Sequence, residues 1–178
     1  MIKKHANSRR SFSKYKTAIG LACILTFFCA GCLKYSFKGA LPSYLKTIVI
    51  PLFEDRSRWV GLQEQLTLEV VDAFVRDNTL KVVEDEADAD LVLEGVILPV
   101  QTRKTAVTPE EVVEQEQLVV SVKIECLNKH TNKPLWSATV SDFGVVSGSA
   151  TLEERDLAID EAVEKVVADI LNRTIAAW

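Results

Sequence analysis

Apolar and polar positions change their period several times along the chain. Thr17–Ala30 carries no charge and follows sixteen residues that hold Lys3, Lys4, Arg9, Arg10, Lys14 and Lys16 and no acid. A basic segment, a short apolar run and small residues before a cut predict a secretory signal peptide over 1–31. The run is short for a spanning helix, which needs roughly 20 apolar residues. Residues 32–45 have no sustained period and read as a tether. KTIVIPLF (46–53) is β-branched and apolar, a buried strand that Pro51 ends or places at an edge. EDRSRWVG is a polar loop. From Leu62 to Asn78 the apolar residues Leu62, Leu66, Val70, Ala73 and Phe74 fall at helical spacing, with Asn78 as the stop.

Strands dominate the next stretch. LKVVE (80–84) is short; LVLEGVILPV (91–100) is longer and extends toward Lys104. In QLVVSVKIECLN, Leu118, Val120, Val122, Ile124 and Cys126 share one face, and Val119, Ser121, Lys123 and Glu125 share the other. Such alternation belongs to a sheet with one covered face. KHTNK makes a turn, with Asn132 suited to positive φ, and PLWSATVSDFGVV returns. Leu152–Ala177 is a second helix, striped by Ile159, Ala162, Val163, Val166, Val167 and Ile170. Thr151 and Glu154 offer it a capping box. The order predicts an α+β fold: one mixed β-sheet of four to five strands with two α-helices packed on one face. A single domain, 46–178, would hold it, its other sheet face left to solvent or a partner.

Charge sharpens this picture. The whole chain has 21 Lys+Arg and 25 Asp+Glu. Six of the bases lie in the leader, so the mature chain keeps 15 against 25 acids, a net of about −10. An acidic domain is a poor general binder of nucleic acid, whose phosphates dominate affinity. Of the four cysteines, Cys23 and Cys29 leave with the leader and Cys32 stands at the cut. Cys126 alone remains, which excludes an intrachain disulfide frame.

Catalytic chemistry fails on inventory. His5 lies in the leader, and His130 falls at the hairpin tip as an exposed turn residue. No zinc-protease helix, phosphate loop or nucleophile elbow is present, so the chain reads as a non-enzyme without a soluble cofactor or metal. EDEADAD (84–90) lacks the Gly and closing Glu of a calcium loop and reads as a solvated loop. Cys126, on an apolar face, is a buried and inert thiol. Trp136 alternates with Ala138 and Val140 and belongs to the core. Trp59, in a polar loop, either folds down or meets a partner or lipid headgroup. Arg103, Lys104, Lys129 and Lys133 are solvated strand ends or, if brought together, a site for phosphate or carboxylate.

Ala30-Gly31-Cys32 resembles the lipobox of bacterial lipoproteins, with Cys29 in place of the usual aliphatic. That resemblance implies diacylglycerol and an N-acyl chain such as palmitate on Cys32; ordinary cleavage and an uncleaved anchor are the alternatives. Leu33 after the Cys, with no Asp, favours the outer membrane by enterobacterial sorting.

GCLKYSFKGALPSYLKTIVIPLFED, GLQEQLTLEVVDAFVRD, LKVVEDEADADLVLEGVI and VADILNRTIAAW together resemble the lipopolysaccharide-assembly lipoprotein family, LptE. The pieces keep the family's order and cover most of the mature chain. The resemblance implies a two-helix, mixed-sheet domain on the periplasmic side of the outer membrane, held there by its lipid anchor. Such proteins plug a large β-barrel translocon, LptD, help it assemble and contact lipopolysaccharide, without catalytic residues. Arg103, Lys104, Lys129 and Lys133 are the lipopolysaccharide candidates and Trp59 the partner candidate. The alternative function is an outer-membrane lipoprotein that regulates a peptidoglycan enzyme or joins a secretion assembly.

Overall fold

A computed structural model describes residues 41–107 and 113–176; the leader, Cys32 and the first part of the tether lie outside the described residues. Strands β1 (Thr47–Val49) and β2 (Glu54–Asp55) precede helix α1 (Leu62–Asp77). Then come β3 (Lys81–Val82), a 3-10 turn over Glu86–Asp88, β4 (Leu91–Ile97), β5 (Gln101–Val107), β6 (Val113–Asn128) and β7 (Lys133–Ser147). Helix α2 (Leu152–Ile175) closes the order.

The α+β class holds. The sheet has seven strands rather than four to five, and two interruptions explain the excess. β1 and β2 both pair in parallel with β4, one after the other, around Pro51. β4 and β5 both pair antiparallel with β6, Ile97 opposite Val122 and Gln101 opposite Val119. Residues 98–100 thus face only 120–121, and the Leu98 N–H still reaches the Ser121 carbonyl at 2.8 Å. Proline has no N–H to give a ladder, so Pro51 and Pro99 each break a row without ending it. The expected extension of β4 past residue 100 is present as β5. The rows run β3, β1 with β2, β4 with β5, β6, and β7.

Local signals set the helix ends. Asn78 caps α1 in the left-handed region at φ 58°, and Asn132 turns the hairpin at φ 51°. Thr151 and Glu154 form the expected capping box on α2. Leu62, Leu66, Val70 and Phe74 of α1 pack with Ile159, Val163, Val166 and Ile170 of α2 on one face of the sheet, against Leu118, Val120, Val122, Ile124 and Cys126. Each large aliphatic buried there stabilises by about 1.5–3 kcal/mol relative to exposure. Leu41 and Leu45, assigned by sequence to the tether, also pack on this core.

Two glycines of the sheet stand where a side chain would not fit. A Cβ on Gly144 of β7 would stand 1.9 Å from the Ala158 carbonyl oxygen of α2, and one on Gly95 would stand 2.7 Å from the Phe53 ring. A backbone carbonyl cannot swing away as a side chain can. Gly144→Ala is therefore expected to push α2 off the sheet at a cost of about 3 kcal/mol, read as a lowered urea midpoint.

Candidate functional site

The register decides what becomes of the four basic candidates. Arg103 stands opposite Gln117 and Lys104 opposite Glu116, while Lys129 and Lys133 flank the hairpin turn next to Asn128. At roughly 3.3 Å per residue along β6 the two pairs are about 40 Å apart. They do not form one cluster. Adjacent residues of a strand point to opposite faces, so exposed Arg103 lies on the open face with Gln117. Lys104 shares the helix-covered side with Glu116, which is 7% exposed and accepts a 2.6 Å hydrogen bond from Arg155 of α2. Lys129 donates its ammonium to the Glu86 carbonyl, with the Glu86 carboxylate 3.9 Å away. Lys133 is exposed.

Trp59 is half-buried against the core, in a loop closed by short polar bonds. Asp55 accepts from the Ser57 N–H at 2.7 Å and the Ser57 hydroxyl accepts from the Trp59 N–H at 3.0 Å. Val60 beside it is 98% exposed. Trp136 lies on the helix-covered side against the core, as expected. Cys126 is fully buried, and burial pushes its thiol up to about 12, far from a nucleophile's range.

The acidic loop hides one residue that is not simply solvated. Asp90 accepts from the Lys46 N–H at 2.8 Å and the Thr47 N–H at 3.0 Å on one oxygen. Its other oxygen is 2.7 Å from His130 Nε2. The Asp90 N–H donates to the Thr47 hydroxyl at 2.9 Å, and its carbonyl accepts from the Lys129 N–H at 3.0 Å. Tyr44 meets the His130 ring edge-on at 5.5 Å. This clasp ties the start of β1, the acidic loop and the hairpin tip. Sequence spacing gives no sign of it, because Thr47 and His130 lie 43 and 40 residues from Asp90. His130, read as an exposed turn residue, is half exposed and held.

Among the described residues no group of three or more His, Cys, Asp or Glu is placed to hold a metal ion. No helix among them is long and apolar enough to cross a membrane. What the arrangement offers is surface: an open sheet face, strand edges and charged strand ends.

Solved structures place this architecture in a known class of α+β domains. The chain is similar to the hypothetical protein CT253 from Chlamydia trachomatis, with 11% identity, 72% of this chain and 96% of that chain covered and a TM-score of 0.51. It is also similar to protein XCC0632 from Xanthomonas campestris, at 13% identity, 76% and 89% coverage and a TM-score of 0.52. A PelC dodecamer chain from Paraburkholderia phytofirmans gives 18%, 77% and 91%, and 0.50. At these identities the likeness is one of fold alone. No curated protein sequence matches the chain. The family is given by sequence: the lipopolysaccharide-assembly family LptE matches residues 45–174, and the chain belongs to it.

The clasp generates a pH dependence. Burial alone raises the Asp90 carboxyl; the Lys46 N–H, the His130 ring, and the Thr47 N–H and hydroxyl outweigh it and bring it down to about 2, below the ordinary 3.8. A depressed carboxyl stabilises the fold fully above its unfolded value and loses that contribution as pH falls through the folded one. Between about pH 4 and pH 2 the wild type should lose about 1–2 kcal/mol that Asp90→Asn lacks from the outset, a range that allows for solvent screening. Urea unfolding of both proteins at stepped pH checks this; parallel curves would show the clasp contributes nothing.

Proposed function

We propose that the chain is an outer-membrane lipoprotein, held by diacylglycerol and an N-acyl chain on Cys32, with its domain facing the periplasm. The domain binds and supports an LptD-like β-barrel translocon and helps deliver lipopolysaccharide to the outer surface. Membership of the LptE family over residues 45–174 carries this reading. The architecture supports it, because both helices cover one face of the sheet and leave the other to a partner. The domain works by binding: its one described cysteine is buried and its hairpin histidine is engaged by Asp90. Half-buried Trp59, with Val60 exposed beside it, is the candidate anchor on the barrel, since aromatic residues dominate many interface energies.

An affinity-tagged chain captured from detergent-solubilised outer membrane should bring a large β-barrel. Cys32→Ser in the same preparation should leave the membrane fraction or remain uncut, because acyl chains anchor through about 0.8 kcal/mol per buried methylene. Capture of a peptidoglycan synthase or a secretion pore in place of the barrel would favour the other reading.

The lipopolysaccharide contact now divides in two. Arg103, exposed on the open face, is the stronger candidate, and Lys104 adds charge at the same end. Lys129 already serves Glu86. Arg103→Ala with Lys104→Ala is expected to weaken lipopolysaccharide binding severalfold and to reduce its salt sensitivity. Lys129→Ala with Lys133→Ala should do less. Binding measured on the two folded double variants decides; the reverse order would move the contact to the hairpin end.

A further inference from the structure

The sheet face away from the helices is not uniformly polar. Val49, Ala89 and Val92 are 7%, 7% and 4% exposed there and cluster with Val83 and Leu127. A cavity of about 510 Å³ opens beside them around the sheet edge at the carboxyl ends of β1 and β3, with Val49, Val83, Val92 and Pro51 on the open-face side, Ile50, Val82 and Val71 of α1 on the helix side, and Glu84, Glu86 and Glu94 at its rim. We propose that this cleft takes an extended, basic polypeptide segment, an apolar side chain set between lysines or arginines, which adds a strand to the outer edge of β3. This goes beyond the lipopolysaccharide and barrel roles above and does not rest on them.

Two observations select that occupant. The first is the edge. Among the described residues β3 pairs only with β1, and the Lys81 and Val83 N–H groups donate to the Lys46 and Ile48 carbonyls. Strand alternation turns the Val82 N–H and carbonyl outward, ready for an incoming strand. Strand addition draws affinity from such main-chain groups and specificity from a pocket that receives alternate side chains. The valine floor is such a pocket.

The second is charge. Glu84 and Glu94 are exposed and have no ion-pair partner among the described residues, and Lys129 reaches only Glu86. Glu94 also stands directly opposite exposed Glu125, and like charges facing across strands destabilise a sheet. Cations from a partner would relieve this, whereas an anionic surface would be repelled. A bare divalent ion fits less well, because no three ligating side chains come together among the described residues.

The test is fluorescence anisotropy of a labelled alternating valine–lysine hexapeptide against the full-length protein in detergent. Saturable binding is expected, at least about tenfold weaker for Glu84→Lys with Glu94→Lys and for a peptide N-methylated on alternate residues. Glu153→Lys with Asp156→Lys, on the far end of α2, should leave it unchanged. An equal loss in that control pair would reduce the effect to overall charge and overturn the site. So would tetralysine binding as tightly as the valine–lysine peptide, since the floor and edge would then play no part.

Discussion

β6 carries its large apolar residues chiefly on one side, Leu118, Val120, Val122, Ile124 and Cys126, and each helix has a single apolar stripe. Three stripes leave water together only if both helices lie on that one side of the sheet. Much else follows from this constraint. The strands flanking β6 must let the layers close, and they do so at Gly95, beneath the Phe53 ring, and at Gly144, beneath the Ala158 carbonyl. Glu116, at the end of the row where the apolar sequence stops, is buried by the same closure and needs Arg155 from the helix that buries it. A buried carboxylate stripped of its cation is costly, so this ion pair also fixes where α2 begins to cover the sheet.

One-sided packing leaves strand edges to be managed, and an open edge is a template for unwanted pairing. The edge of β7 is closed by side chains from α2 and from the strand itself. Lys165 donates to the Phe143 carbonyl at 3.0 Å and stands 5.3 Å over the Phe143 ring. The Phe143 N–H is met by Asp142 at 2.8 Å, and Glu161 accepts from the Val145 N–H. Glu161 and Lys165 also pair with each other at 2.7 Å, one helical turn apart. Among the described residues β3 has no such guard. The contrast gives the two ends of the sheet different roles: one edge is blocked by charge, and the other stays available beside an apolar pocket.

Helix stripes, the capping box and the β6–β7 hairpin could be read from sequence because their determinants lie within a few residues of one another. Thr151 finds Glu154 at the third position, and Asn78 and Asn132 mark turns by their own tolerance of positive φ. The basic candidates could not be placed that way. Whether Arg103 meets Lys129 depends on which part of β6 each flanking strand joins: Arg103 meets β6 at Gln117, about 40 Å from the hairpin turn, and the break at Pro99 shifts the register by one residue and so decides its face. Asp90 was lost among its acidic neighbours for a similar reason, since its partners come from elements joined only by the fold. Composition was right about the loop around it: Glu84, Asp85, Glu86 and Asp88 are exposed.

That loop connects the clasp to the cleft. Residues 84–90 leave β3 just after the Val83 N–H bonds Ile48 and end at Asp90, which the β1 backbone and the hairpin hold. Between them Asp85 caps the short turn by accepting from the Ala87 N–H at 2.8 Å, and Lys129 fixes Glu86 from the hairpin side. Glu84 and Glu86, on the rim, therefore sit on a segment pinned at both ends and in the middle. A rim already ordered loses little freedom when a strand docks, and that saving is a main source of affinity in preorganised sites. The acid-sensitive carboxylate thus does more than hold the first strand to the hairpin. It keeps the charged wall of the cleft in position over its valine floor.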